Sequence, residues 1–450
     1  MQSFVCLCLL LGLGHIVRTR FRALQTLYLP SCVIGGLLGL AILQGSRAAG
    51  YAFPVGWTAG WSALPGLLIN VVFACLFLGV TLPKLSTLWR TAGRQFAYGQ
   101  LVAWGQYVVG IGLVLALLGP MFGLPDLFGG ILPVGFEGGH GTAGGLAPVF
   151  TDLGWDEGRD FALAAATGGI LGAIIVGMGL VNWAVRNGHA EIKRPSSELT
   201  AAEAAGFLPT KDRPIAGRLT VNTDAVESLS LHLVIVGVAI LFGILLKELL
   251  LIIEAAIPGL AQYQLLASFP LFPLCMLGGL LVQWWEDNHD RHDLIDLGLM
   301  RRIQNSALDF LVIAAIATIR LDVVATGLTP LLILIVAGIL WNVFCVVFLA
   351  RRVFSDAWFE RSIAEMGQSM GVTATGLLLL RVVDPDYESS AAKAFAGKQL
   401  LHEPIMGGGL WTGAAIPLIA ILGGLPVFGI CAAAVVFWLA VLFGPRLARR

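Results

Sequence analysis

Eleven apolar runs, each long enough to cross a bilayer as a helix, dominate this chain. They fall at about 1–17, 27–45, 63–82, 96–118, 160–185, 230–255, 264–284, 299–319, 326–350, 396–421 and 425–444. A spanning segment needs about 20 mostly apolar residues, and it must satisfy its own backbone N–H and C=O groups, which favours helices. Composition removes the water-soluble alternative. Charged residues are 12% and hydrophobic residues 57% of the chain, whereas soluble domains carry about 25% charge. The 28 Lys+Arg balance the 28 Asp+Glu, and no basic cluster stands out, so nucleic-acid binding has no electrostatic footing. A soluble enzyme and a disordered chain are excluded on the same grounds.

The seven cysteines all lie in apolar runs and form no CxxC pair, as expected of buried thiols acting as small hydrophobes. The first run lacks a basic leader and a small-residue cleavage site, and Arg18, Arg20 and Arg22 follow it directly. It therefore reads as a retained span. With the N-terminus outside and eleven alternating spans, 24 of the 28 basic residues fall on the inner side. That is the positive-inside pattern, and it puts the C-terminus in the cytoplasm.

Two further stretches, 126–151 and 360–383, are apolar but broken by Gly, Pro and polar residues. Irregular backbone at membrane depth is tolerated only inside protein or beside a water-filled cavity. Both are expected to be re-entrant hairpins, the first entering from outside and the second from inside.

Short matches suggest a duplicated chain. Pro30-Ser31-Cys32-Val33-Ile34-Gly35-Gly36-Leu37-Leu38 aligns with Pro273-Leu274-Cys275-Met276-Leu277-Gly278-Gly279-Leu280-Leu281, and Thr142-Ala143-Gly144-Gly145-Leu146 with Thr373-Ala374-Thr375-Gly376-Leu377. Asn70 and Asn305 pair between them. The expected fold is an all-α membrane protein of two five-span repeats, 1–186 and 230–421, each with one re-entrant hairpin. A cytoplasmic linker, 187–229, joins them, and one extra C-terminal span, 425–444, follows. An odd number of crossings inverts the second copy, and inverted repeats with broken segments are the signature of secondary transporters.

The first hairpin reads Gly135-Phe136-Glu137-Gly138-Gly139-His140-Gly141-Thr142-Ala143-Gly144-Gly145. Glycines allow sharp turns and close approach to a ligand. Unwound N–H groups at a half-helix N-terminus attract an anion such as a carboxylate. Gly138, Gly139, His140, Gly141 and Thr142 are therefore candidate substrate contacts. In the second hairpin the equivalent candidates are Gln368, Ser369, Gly371, Thr373 and Thr375. The plainer alternatives are glycines that only pack a tight turn and a structural His140. Gly-His-Gly has no GxSxG partner, so an enzyme is not expected. Asp309 lies four residues past Asn305 on one helical face. With Asn70 these oxygens suit a hard cation such as Na⁺. Glu403 falls inside the tenth run, Glu254 and Lys247 lie where they can snorkel, and His289 and His292 read as a solvated loop.

On Gly138-Gly139-His140-Gly141-Thr142, the small-residue span from Ala162 to Gly179, and the Gly35-Gly36-Leu37-Leu38 and Gly278-Gly279 pairs, the chain resembles the bacterial glutamate–sodium symporter family over residues 1–421. The resemblance implies an elevator-like inner-membrane carrier, a homodimer among lipids, that moves the small anion L-glutamate inward. Na⁺ would be its coupling ion, with no organic cofactor, and both hairpins would form the site. The second hairpin is less glycine-rich than the family form, Glu137 stands where a small polar residue is expected, and the last span and linker are additions. The alternative is a proton- or Na⁺-coupled carboxylate transporter or exchanger of the same architecture.

Overall fold

A computed structural model describes residues 1–26, 29–51, 53–80, 85–190, 213–257, 266–267, 269–289, 292–384 and 388–447. Most of the expected 187–229 linker lies outside the described residues. Among those residues all regular structure is helical, and eight helices are long and apolar enough to cross a membrane. The chain packs as two compact units, each drawn from both halves of the sequence. The first is Met1–Leu82, Gly144–Val149 and Leu199–Ile319; the second is Pro83–Ala143, Phe150–Glu198 and Arg320–Arg450. The expected repeats are thus each divided between the two units.

In the first unit, helices Gln2–Arg20 and Ser31–Ala48 pack together, as do Ser228–Ala256 and Leu271–His289. The matched glycine pairs serve these contacts in the same way. A Cβ on Gly35 would lie 2.5 Å from the Leu10 carbonyl oxygen, and Gly278 sits equally tightly on the Ala239 carbonyl. The second glycine of each pair faces a helix from the other half: Gly36 meets Ile316, and Gly279 meets the Ala74 backbone. Such small-residue contacts let helices approach where lipid offers no hydrophobic drive between them. Cys75 and Cys275 are buried in the core of this unit beside Val236, Met300 and Ile303, but Cys8 is exposed and Cys6 half-buried on helix Gln2–Arg20, so the expectation of buried thiols fails there.

Several polar groups of this unit are satisfied locally. Glu227 and Asp296 cap the starts of helices Ser228–Ala256 and Leu297–Ala317. Buried His232 bonds the Ser228 carbonyl through Nδ1 and accepts the Asp296 N–H at Nε2, at 2.7 and 2.8 Å. Glu254 and Lys247 do not snorkel. Glu254 is buried and accepts the N–H groups of Leu266 and Ala267, while the Lys247 ammonium donates to the carbonyls of Leu266, Ala267 and Phe269. The backbone groups of Leu266, Ala267 and Phe269 supply partners for both side chains.

In the second unit, the helices Leu85–Leu113 and Leu328–Phe344 each run into a π-helical turn, Val114–Leu118 and Cys345–Leu349. A short α-helix follows each turn, Gly119–Phe122 and Ala350–Val353. Both pairs of elements recur 231 residues apart (345 minus 114), the same offset as Thr142 and Thr373. A broken segment follows in each case. The first comprises Asp126–Gly130, Ile131–Phe136, Gly139–Gly145 and Ala147–Asp152. The second is 358–383, interrupted at Gly371 and Val372. There the chain folds back on itself, since a Cβ on Gly367 would lie 2.7 Å from Gly376 Cα. Asp160, buried on helix Glu157–Arg186, accepts the Arg320 N–H at 3.0 Å and pairs with its guanidinium at 2.8 Å.

Two expected spans are shorter than their hydropathy suggested. The run 63–82 is helical only over Leu64–Ala74, and Gly79 then takes a left-handed φ of 74°. The run 396–421 is not one helix but two, Ser390–His402 and Leu410–Leu422. Pro404 cannot continue a helix, and left-handed Gly408 helps the chain turn between them.

Candidate functional site

Both interruptions belong to the second unit, and they meet. Gly139 has φ +65°, which only glycine adopts freely, and a Cβ there would lie 2.6 Å from Val372 Cγ1. Val372 itself has φ 70° and ψ 166°. A β-branched residue in that region is strained by about 1–3 kcal/mol and persists only where its surroundings hold it. Strain of this kind clusters at ligand clamps and switch points.

Around this junction lies a buried polar network. Gln368 Nε2 donates to Glu137 Oε2 at 2.9 Å. Gln368 Oε1 accepts from the Lys398 ammonium at 2.9 Å. Lys398 also pairs with Glu365 at 2.7 Å and donates to Gln399 at 2.8 Å. Lys398 and Glu365 are wholly buried; such a pair persists only when its remaining hydrogen bonds are made. Gln95 from helix Leu85–Leu113 donates to Glu365 at 2.9 Å. On the other side His402 Nε2 faces Glu137 Oε2 at 3.3 Å, and Gln100 meets His402 Nδ1 at 3.2 Å.

The candidate residues divide. Glu137 is fully enclosed, and Thr142 is buried with its hydroxyl over Gly138; a Cβ on Gly138 would lie 2.8 Å from Thr142 Oγ1. His140 contacts Thr167 at 2.9 Å, which ties it to helix Glu157–Arg186. Ser369 donates to Asn342 at 2.6 Å, and its carbonyl accepts from Gln106 at 2.6 Å. Thr373, at the start of the returning half of the second segment, donates to Glu403 and accepts from Gln399. Thr375 bonds the Gly371 carbonyl across the break. Gly141 and Gly371 lie within the two broken segments and are buried.

The three proposed Na⁺ ligands all belong to the first unit. Asn70 turns its amide onto the Gly66 carbonyl at 2.8 Å, and its Oδ1 lies 3.8 Å from Cys275 Sγ. Asp309 is hydrogen-bonded to Cys32, and Asn305 is exposed.

Sequence reasoning missed Lys398, His402, Glu365, Gln95, Gln100, Gln106 and Asn342. The signal was present. Glutamines inside an apolar helix and a lysine in an apolar run are expensive in a bilayer and so point to function. Gln95 and Gln106, eleven residues apart, fall on one helical face.

Interrupted helices converging on a buried polar centre, in a multi-pass all-helical membrane protein, define the class of secondary transporters. The model of the sodium/glutamate symporter family matches residues 1–388, and the chain belongs to that family. No curated protein and no solved structure matches it. The matched region contains both broken segments. Helix Ser390–His402, which carries Lys398, Gln399 and His402, follows it.

Proposed function

We propose that the protein is a Na⁺-driven symporter of L-glutamate or a related dicarboxylic amino acid, working by an elevator-like exchange of its site between the two sides of a bacterial inner membrane. The observation that carries this reading is the meeting of Gly139 with Val372, where both helices are interrupted beside Thr142 and Thr373. The returning half, 373–383, offers a helix N-terminus there, and free N–H groups with a positive dipole end attract a carboxylate. Gly138, Gly139, His140, Gly141, Thr142, Gln368, Ser369, Gly371, Thr373 and Thr375 frame the cargo in this reading.

Two inverted repeats with re-entrant hairpins explain the recurrence of the π-helical turns, the glycine pairs and the breaks. In this scheme Glu137 and Gln368, bonded to each other, are equivalent positions at the 231-residue offset, so a pseudo-twofold axis passes between them. The N-terminus lies outside and the C-terminus inside. Apolar helices such as Gln2–Arg20 and Ser228–Ala256 leave much of their surface outside the packed interior, which supports a homodimer or lipid contact.

A thermal-shift screen of the purified protein against amino and carboxylic acids, with and without Na⁺, tests the reading. Selective stabilisation by glutamate in Na⁺ supports it. Stabilisation by a different acid redirects the substrate, and no response to any acid overturns it.

A further inference from the structure

We infer that Glu137 holds a monovalent cation through its free carboxylate oxygen, together with the Thr142 hydroxyl, and that this cation makes anion binding at the loops possible. The inference rests on the reading that the two breaks hold the substrate.

The Lys398 ammonium has three N–H donors; it donates to Gln368 and Gln399 and forms an ion pair with Glu365 Oε1 at 2.7 Å. Lysine can only donate, so Gln368 presents Oε1 to it and Nε2 to Glu137. The Lys398 charge is already matched by Glu365.

His402 is neutral by a parallel argument. The Trp104 indole N–H, which can only donate, bonds Gln100 Oε1 at 3.0 Å. Gln100 therefore turns its amide N–H toward His402 Nδ1, which must accept. An imidazolium would set two donors face to face. The ring proton is on Nε2 and points to Glu137 Oε2.

Glu137 Oε2 thus receives two neutral donors, from Gln368 and His402. Its Oε1 is buried with no hydrogen-bond partner among the described residues, and so is Thr142 Oγ1. Glu137 is 2% exposed and Thr142 1%. An ionised carboxylate enclosed this way is unstable without further compensation: among the described residues no Lys or Arg nitrogen forms an ion pair with it, and Lys398, the buried cation whose field reaches it, is paired with Glu365. It would also repel a dicarboxylate beside it. A cation on Oε1 removes both penalties, and binding of cation and anion then becomes mutually dependent. The positive charge has two sources of the same chemistry: a free Na⁺, or the α-ammonium of the substrate itself.

The test is a thermal-shift titration of purified wild type, Glu137→Gln and Thr142→Val in choline buffer. One arm adds NaCl alone, the second glutamate without Na⁺, and the third glutarate, which lacks the ammonium, without Na⁺. A wild-type shift with NaCl alone assigns the charge to Na⁺. A shift with glutamate but not glutarate assigns it to the ammonium. In either case Glu137→Gln needs at least about tenfold more of that cation for half the shift, and Thr142→Val is shifted in the same direction, while both keep a cooperative melt without ligand. A cation response identical in wild type and both variants, as a lone proton on Oε1 would leave it, overturns the inference. If the wild type still responds to glutamate with Na⁺ in that case, the loop site stands and only the cation assignment falls. If the wild type responds to no acid, the substrate reading falls first.

Discussion

The two units of this chain use apolar helices of similar length for different ends. In the first, buried polar groups such as His232, Glu254 and Gln304 are each satisfied by a nearby backbone group. In the second, Glu137, Glu365, Gln368, Lys398 and His402 bond chiefly to one another, across three separate stretches of chain. Locally satisfied polar groups hold helix ends and loops in place. An interior network that leaves Glu137 Oε1 and Thr142 Oγ1 without partners does not serve packing alone, since a hydrophobic replacement of similar volume packs as well or better. In the proposed reading, this contrast assigns the site to the second unit and support to the first.

That division can be broken most forcefully at the buried ion pair. Lys398→Ala leaves Glu365 charged and unpaired, and is expected to cost about 3–5 kcal/mol of stability, read as a large fall in melting temperature in detergent. The double substitution Lys398→Met with Glu365→Leu is expected to recover most of it. If Lys398→Ala melts like wild type, the network is not structurally coupled. At the junction, Gly139→Ala forces a Cβ against Val372 in a left-handed backbone. It is expected to cost about 1–3 kcal/mol and to lower uptake as well.

Val372→Gly works in the opposite direction, relieving a strained φ. A net gain of up to about 1 kcal/mol in the same melting assay is expected, with slower transport if the strain holds the loops together. The smallest effect belongs to the first unit. Exposed Asn305→Ala is expected to stay within about 0.5 kcal/mol of wild type and to leave the Na⁺ response unchanged. A loss of Na⁺ dependence in this variant would move the cation site out of the second unit.

Much of this fold was legible in the sequence. Seven of the eleven apolar runs fall on helices long and apolar enough to cross a membrane, and Gly135–Gly145 and Gly367–Gly376 were readable as interruptions because glycines there are mixed with polar side chains. Hydropathy averaged over a window hid the rest. It carried the 396–421 run straight through Pro404 and Gly407-Gly408-Gly409, where the backbone turns. It also gave Lys398 and His402 no weight, because one charged residue barely lowers the mean of an apolar segment. The loop candidates Thr142 and Thr373 were named from hydroxyls beside glycines, but their partners come from helices distant in sequence. Gln95, Gln100 and Lys398 reach the centre only through tertiary packing, which periodicity does not encode.

The central claim is that cargo is held where the two interruptions meet and is driven by Na⁺. Uptake of radiolabelled L-glutamate into proteoliposomes under an imposed Na⁺ gradient tests it most directly, with wild type beside Thr373→Ala. The account predicts saturable wild-type uptake that disappears when Na⁺ is replaced by choline and falls about tenfold in the variant, as loss of a part-buried hydrogen-bonding group at the junction implies. Uptake that follows a pH gradient without Na⁺, or a variant that transports like wild type, would contradict it.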